Sequence, residues 1–283
     1  MVKGKSGAAI RALKARIAWQ CVDDQAQAKA KYENGVLTLT LNRPDQRNAM
    51  TPELLSEFAV VMERVKADRG ARAVVLVGTG SCFSAGADLH SSLKTGDPNG
   101  LPHERSFAMY APFLELRNVT VPVIAALQGH AVGGGFGLSM MADIRIANEK
   151  DKYGANFARL GLHSGMAISF MLPRIIGVSR ASELLYTGRM MSAEEGQAWG
   201  FFNGVVAQED LLATANNMAQ SLADGPAFAH SVTKKCLHQE WNQTIEQALE
   251  TEAEAQAICM QTEDFKIAYH AFVAKETPKF IGN

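Results

Sequence analysis

Two glycine-rich stretches constrain this chain more than any other feature. The first is Ser81-Cys82-Phe83-Ser84-Ala85-Gly86-Ala87-Asp88-Leu89, which follows the apolar run Val74 to Val77. The second is Gly129-His130-Ala131-Val132-Gly133-Gly134-Gly135-Phe136-Gly137, which follows Val121 to Leu127. Each lies between a β-branched run and a segment able to start a helix. A chain that turns from strand into helix leaves its first helical N–H groups without intrahelical partners, and the helix dipole adds positive charge there. Two such turns that meet can aim donors at one oxygen that gains negative charge during a reaction. No Lys-Ser or Lys-Thr follows the second set of glycines, so this is not a P-loop. Gly133, Gly135 and Gly137 spell G-x-G but lack the third glycine of a dinucleotide fingerprint.

The segments around these loops read as alternating strands and helices. After Gly35, Leu37, Leu39 and Leu41 alternate with Thr38 and Thr40, the pattern of a half-buried strand. Thr51-Pro52-Glu53 reads as an N-cap, a proline at the first helical position and an early acid. Leu54, Leu55, Phe58, Val61, Met62 and Val65 follow at helical spacing. Ala73 to Val77, Val121 to Leu127 and Ile144 to Ala147 read as strands, residues 94–102 as a breaker-rich loop, and Glu104 to Arg117 as one helix. Beyond about residue 205 the strand signals fade, and helices are expected over 208–223, 226–240, 243–260 and 263–275. The expected organisation is an α/β core over 31–205, an arm over 1–30 and a helical region over 206–283.

Composition narrows the function classes. With 283 residues, 47% of them hydrophobic, the chain can bury a sizeable core. A net charge of −1 argues against a nucleic-acid or anionic-membrane surface. No apolar run is long enough to span a bilayer. Cys21, Cys82, Cys236 and Cys259 are far apart and lack metal-type spacing, which suits free thiols in a reduced, cytoplasmic setting, with Cys82 a packing residue. The first twenty residues are basic and lack acids; they read as a surface helix or frayed arm, with an organelle transit peptide as the alternative.

These motifs, taken in order, resemble the crotonase superfamily, also called the enoyl-CoA hydratase/isomerase family. The likeness runs from about residue 32 to 283. It is carried by Leu41-Asn42-Arg43-Pro44 with Arg47-Asn48-Ala49-Met50, by Phe83-Ser84-Ala85-Gly86-Ala87-Asp88-Leu89, and by Pro122-Val123-Ile124-Ala125-Ala126 through Gly133-Gly134-Gly135 to Ala142-Asp143-Ile144. The resemblance implies a ββα spiral core with a helical C-terminal trimerisation region, and a homotrimer or hexamer. It implies an acyl thioester substrate, acyl-CoA or an acyl-carrier protein, with coenzyme A or phosphopantetheine as part of the substrate and no metal or other cofactor. By position, the backbone N–H groups of Ala87 and Gly134 would form the oxyanion hole. Ala85, Asp88, Leu89, Gly133, Phe136 and Gly137 would flank the bound acyl group. Arg43 and Arg47 would lie near the phosphates of coenzyme A or on a solvated surface.

The likeness also shows where this chain departs. Hydratases of the family use two glutamates, and the matching positions here are Gly137 and Phe157. Some relatives carry an acid eight residues beyond the second, where this chain has Gly165. Without these groups efficient syn-hydration is not expected, since a positioned acid or base contributes about two to four powers of ten in rate. The polar residues nearest these positions are His163 and Ser164, the candidate catalytic pair; His130, beside the oxyanion loop, is expected to matter less. Asn156 can hydrogen-bond the acyl group or the backbone. Gln128-Gly129-His130, Ala155-Asn156-Phe157 and Gly165-Met166 also resemble a decarboxylase subgroup of polyketide β-branching, which acts on glutaconyl-type thioesters. Of that subgroup's polar helpers, the lysine would be Lys94, while Gln256 stands where the subgroup has histidine. A non-catalytic acyl-thioester binder is the remaining alternative.

Overall fold

The computed structural model describes residues 25–88, 91, 97 and 99–282. Of the arm expected over 1–30, residues 1–24 lie outside the described residues, and the first strand, Ala28–Glu33 (β1), begins within its last residues. Strand β1 pairs antiparallel with Val36–Leu41 (β2) across Asn34-Gly35, both at positive φ. Helix α1, Pro52–Ala67, starts as expected: the Thr51 hydroxyl accepts the Leu54 N–H, and Pro52 occupies the first turn.

Three strand pairs then repeat. Ala73–Gly78 (β3) leads to Cys82–Ser84 (β4), Val123–Leu127 (β5) to His130–Val132 (β6), and Ile144–Asn148 (β7) to Lys152–Gly154 (β8). The first strand of each pair joins a six-stranded sheet, and the second joins a four-stranded one. The large sheet runs β1-β2-β3-β5-β7-β10, with β10 at Gly204–Val206, and is parallel from β2 onward. The small sheet runs β4-β6-β8-β9, with β9 at Met191–Ser192. Each repeat thus adds one strand to each sheet before the chain winds on, which is the ββα spiral.

Strands β3 and β5 are buried along their whole length because helices or the second sheet cover both faces. Val74, Leu76, Val123, Ala125 and Leu127 face the larger core with Leu54, Phe58 and Phe83. Their alternates Val75, Val77, Ile124 and Ala126 face Leu211, Ala215, Ala219 and Ala223. Those four lie on one stripe of the helix Leu211–Ala223, so this first C-terminal helix closes the sheet. The helices Ala227–Gln239, Ile245–Cys259 and Glu263–Ala274 follow it in the chain.

The helix expected over Glu104 to Arg117 is broken. It forms as Pro102–Ala108 (α2) and Ala111–Leu114 (α3), followed by a 3-10 turn over Glu115–Asn118. Pro112 lies in the first turn of α3, where its missing N–H is tolerated, and Tyr110 stands at the break. Phe113 anchors α3 by packing on Phe58, with ring centroids 4.6 Å apart.

The first C-terminal arm helix is fastened through Asp143. Its carboxylate accepts the Val123 N–H at 2.8 Å, meets Lys234 Nζ at 2.7 Å and lies 3.0 Å from His238 Nε2. Lys234 also donates to the Val121 carbonyl at 3.0 Å. Burial opposes ionisation of Asp143, but the bonds from His238 and Lys234 outweigh it, and its pKa lies below the ordinary value. Burial lowers the Lys234 pKa despite the facing carboxylate.

Candidate active site

The segment Arg47–Met50 runs alongside the first glycine loop and fixes its conformation. Ala85 N–H donates to Arg47 O at 2.9 Å, Met50 N–H to Gly86 O at 2.8 Å, and Asp88 N–H to Met50 O at 3.2 Å. The Ser84 hydroxyl donates to Asn48 O at 2.8 Å. Met50 and Ala87 form a single parallel bridge. In such pairing alternate residues point to opposite sides, so the bonds to Gly86 and Asp88 leave the Ala87 N–H facing away. It has no acceptor among the described residues.

Beneath this loop lies a buried polar clamp. Asn48, fully buried at φ 51°, donates to Thr79 O at 2.9 Å and Cys82 O at 2.7 Å, and its Oδ1 accepts the Arg43 N–H. Gln128 donates to Cys82 O and accepts the Gly78 N–H. A buried amide with its partners satisfied holds its surroundings rigid. The Cys82 thiol contacts His130 O at 3.0 Å, and burial pushes its pKa up to about 11, so it is a packed thiol and not a nucleophile.

The second loop turns at Gly133, φ 55° and ψ −117°, into the short helix Gly134–Ser139 (α4). Gly133 N–H donates to Gly154 O at 2.9 Å. Gly134, the first helical residue, keeps an N–H with no acceptor among the described residues. The two loops are in contact. A Cβ at Gly86, itself at φ +81°, would lie 2.9 Å from Gly134 N and 2.6 Å from Val132 O. The close approach and the positive φ both require glycine there. The structure therefore brings two free backbone donors together on adjoining loops.

The space beside the positions where the family resemblance implies acids is filled by neighbours. A Cβ at Gly137 would overlap Met166 Cβ and come within 2.8 Å of its Cγ. A Cβ at Gly165 would fall 2.5 Å from Tyr110 Cε2 and 3.0 Å from Cζ. The other edge of the same ring, Cε1, lies 3.2 Å from a Cβ position at Gly134. Tyr110 thus stands between the oxyanion helix and residue 165. Pro112, two residues on, signals the helix break, but nothing local in the sequence places the Tyr110 ring beside Gly134 and Gly165.

The remaining candidates are placed less centrally. Phe157 lies 3.8 Å from a Cβ position at Gly133, and Asn156 Oδ1 lies 3.3 Å from it. Phe136 is fully buried and stacks on Phe201, with centroids 4.8 Å apart, a core position. His163 and Ser164 line a cavity of about 570 Å³ together with Ala155, Phe157, Leu162 and Tyr186; neither Ala87 nor Gly134 lines it. His163 is exposed, and its Nδ1 lies 2.7 Å from Ser164 O. His130 Nδ1 accepts the Lys152 N–H at 2.8 Å and lies 2.9 Å from Asp151 Oδ1. Arg43 is tied to Ala49 O, Thr51 and Gln46, while Arg47 adopts φ 52° and offers its carbonyl to the loop. Asp88 accepts the Ser91 hydroxyl at 2.9 Å. Leu89 and Lys94 lie outside the described residues. Among the described residues no group of three or more His, Cys, Asp or Glu side chains is placed to hold a metal ion, and no helix is long and apolar enough to cross a membrane.

Known proteins share this arrangement along nearly the whole chain. The enoyl-CoA hydratase/isomerase family model matches residues 31–283. The 1,2-epoxyphenylacetyl-CoA isomerase of Escherichia coli is 34% identical over 254 residues, 88% of this chain and 96% of that protein. The 4-chlorobenzoyl coenzyme A dehalogenase-2 of an Arthrobacter species is 31% identical over 226 residues, covering 79% of this chain and 82% of the relative. A crystal structure of an enoyl-CoA hydratase from Bacillus anthracis superposes with a TM-score of 0.85 at 30% identity, over 91% of this chain and 100% of that one. An isomerase, a dehalogenase and a hydratase lie at similar identity, so likeness alone does not select a reaction. By fold, loops and sequence alike, this chain belongs to the enoyl-CoA hydratase/isomerase family.

Proposed function

We propose that the protein is an acyl-thioester enzyme that holds the thioester carbonyl on the N–H groups of Ala87 and Gly134 and stabilises the enolate formed there. The observation that carries this is the pair of partnerless donors on touching loops. Preorganised donors of this kind are commonly the largest single contribution to catalysis. The thiol portion is coenzyme A or the pantetheine of a carrier protein. An enolate arises by proton removal or by addition of water to a conjugated thioester, both of which need a base, or by loss of carbon dioxide, which does not. Gly137, Phe157 and Gly165 offer no base, and this favours decarboxylation over hydration or isomerisation. The test is a pair of variants at one position. Gly134→Ala and Gly134→Pro both add a Cβ beside Met50 and Tyr110, but only proline removes the N–H. Butyryl-CoA should bind the proline variant more weakly than the alanine variant, and turnover of any substrate should fall by a further 100-fold or so. Equal behaviour of the two variants would refute the oxyanion assignment.

The last two helices support an oligomer. Ile245 is 72% exposed and Phe272 83% exposed in the single chain, with Leu249, Tyr269 and Val273 also open. Large apolar side chains left open in this way suit a protein interface, and we expect a homotrimer or a dimer of trimers. Light scattering after size exclusion should give three or six chains, and a monomer at micromolar concentration would contradict this.

A further inference from the structure

Tyr110 is the polar side chain that the enolate reading leaves without a task. Its ring is wedged between Gly134 and Gly165, so its hydroxyl, one bond beyond Cζ, projects from the gap between the oxyanion helix and the turn at residue 165. The hydroxyl has no hydrogen-bond partner among the described residues. Burial raises the phenol pKa, so the group is a neutral donor near pH 7. Both neighbours at the wedge are glycines that leave the ring its room. Phe113, packed on Phe58, holds the backbone at the helix break, so the ring is fixed from both ends.

The side chains beside the two glycine loops have a common character. Met166 fills the space at residue 137, Phe157 lies across Gly133, and residue 165 has no side chain. None of these three presents a carboxylate. A half-buried donor in an apolar wall loses hydration when substrate enters and regains a partner only if the substrate brings an acceptor. We propose that Tyr110 is the specificity-determining residue of this site, its hydroxyl donating to a carbonyl or carboxylate oxygen on the β-carbon of the acyl chain. The substrate class is then the β-oxo or malonyl-type acyl thioester. This rests on the thioester being held by Ala87 and Gly134, which places the acyl carbons beside the Tyr110 ring.

The test compares three ligands that differ at the β-carbon: butyryl-CoA, which has no acceptor there, acetoacetyl-CoA with a ketone, and malonyl-CoA with a carboxylate. Dissociation constants are measured by calorimetry for the full-length protein and for Tyr110→Phe, which keeps the ring and removes the hydroxyl. The unaltered protein should bind at least one acceptor-bearing thioester about tenfold or more tightly than butyryl-CoA, and the two acceptor arms tell ketone from carboxylate. In Tyr110→Phe that preference should shrink to about twofold, with butyryl-CoA affinity unchanged. Gly165→Ala, whose Cβ displaces the ring, should lose the preference in the same way. The proposal is overturned if the unaltered protein shows no preference, if Tyr110→Phe keeps it, or if that variant weakens all three ligands equally, as a purely structural role would. Failure of the oxyanion reading is scored separately, as butyryl-CoA binding that does not distinguish Gly134→Pro from Gly134→Ala.

Discussion

Crotonyl-CoA incubated with this protein should remain unhydrated. Syn-addition of water needs one group to activate the water and another to protonate the α-carbon. At the two positions where the family resemblance puts those groups stand Gly137 and Phe157. A positioned acid or base contributes about two to four powers of ten. Groups that act as a unit do not add simply, so the combined loss is taken as about four powers of ten, the upper figure for one group. Set against a typical kcat of about 10 per second, the expected rate is roughly one turnover in a quarter of an hour. The fall in absorbance of the conjugated thioester measures it directly. A kcat on the order of 10 per second would show that another side chain serves as the base and would remove the main argument for decarboxylation.

Asp143→Ala should destabilise the fold by about 3 kcal/mol, the lower part of the range for removing one partner of a buried ion pair. The substitution leaves Lys234 buried without its carboxylate and the Val123 N–H without its acceptor. Urea unfolding at one fixed protein concentration would register the loss. The double variant Asp143→Ala with Lys234→Met should recover most of it, since a buried pair replaced by apolar groups is often close to neutral. If the double variant is no more stable than the single one, the cost lies in the backbone bond and not in the stranded charge. The pH dependence has a definite sign. The folded pKa of Asp143 is depressed below its unfolded value of about 3.9. Its contribution is therefore complete above that value and is lost as pH falls through the lower, folded pKa.

The glycine loops were legible because glycine is required by backbone geometry that any strand-to-helix turn of this type must adopt. The expected C-terminal helices appear within a few residues of their bounds, since long amphipathic runs carry their own periodicity. Strands β4, β6 and β8 were not legible: three residues are too few to show an alternation. Strand β1 was hidden because its buried positions are Ala28 and Ala30, and alanine is a weak strand former. Tyr110 was hidden for a different reason. Its role depends on contacts with residues 134 and 165, and no local pattern reports which side chain occupies the space a distant glycine leaves open. The absence of carboxylates at 137, 157 and 165 could be read directly; what replaced them required the fold.

The packing of Met166 against Gly137 has a consequence for how this protein can change. Met166 sits at φ 56°, and its side chain occupies the volume that any side chain at 137 would need. Gly137→Glu alone would force the new carboxylate into a filled core, and overpacking of that kind costs about 1–3 kcal/mol before the charge is counted. Trimming Met166 first would leave a hole and gain no chemistry. Neither first step helps, although the two together restore room and an acid, so the effects of the pair cannot be the sum of its parts. A glutamate at 137 is thus separated from the present sequence by two coupled substitutions, and a single mutation will not readily install one.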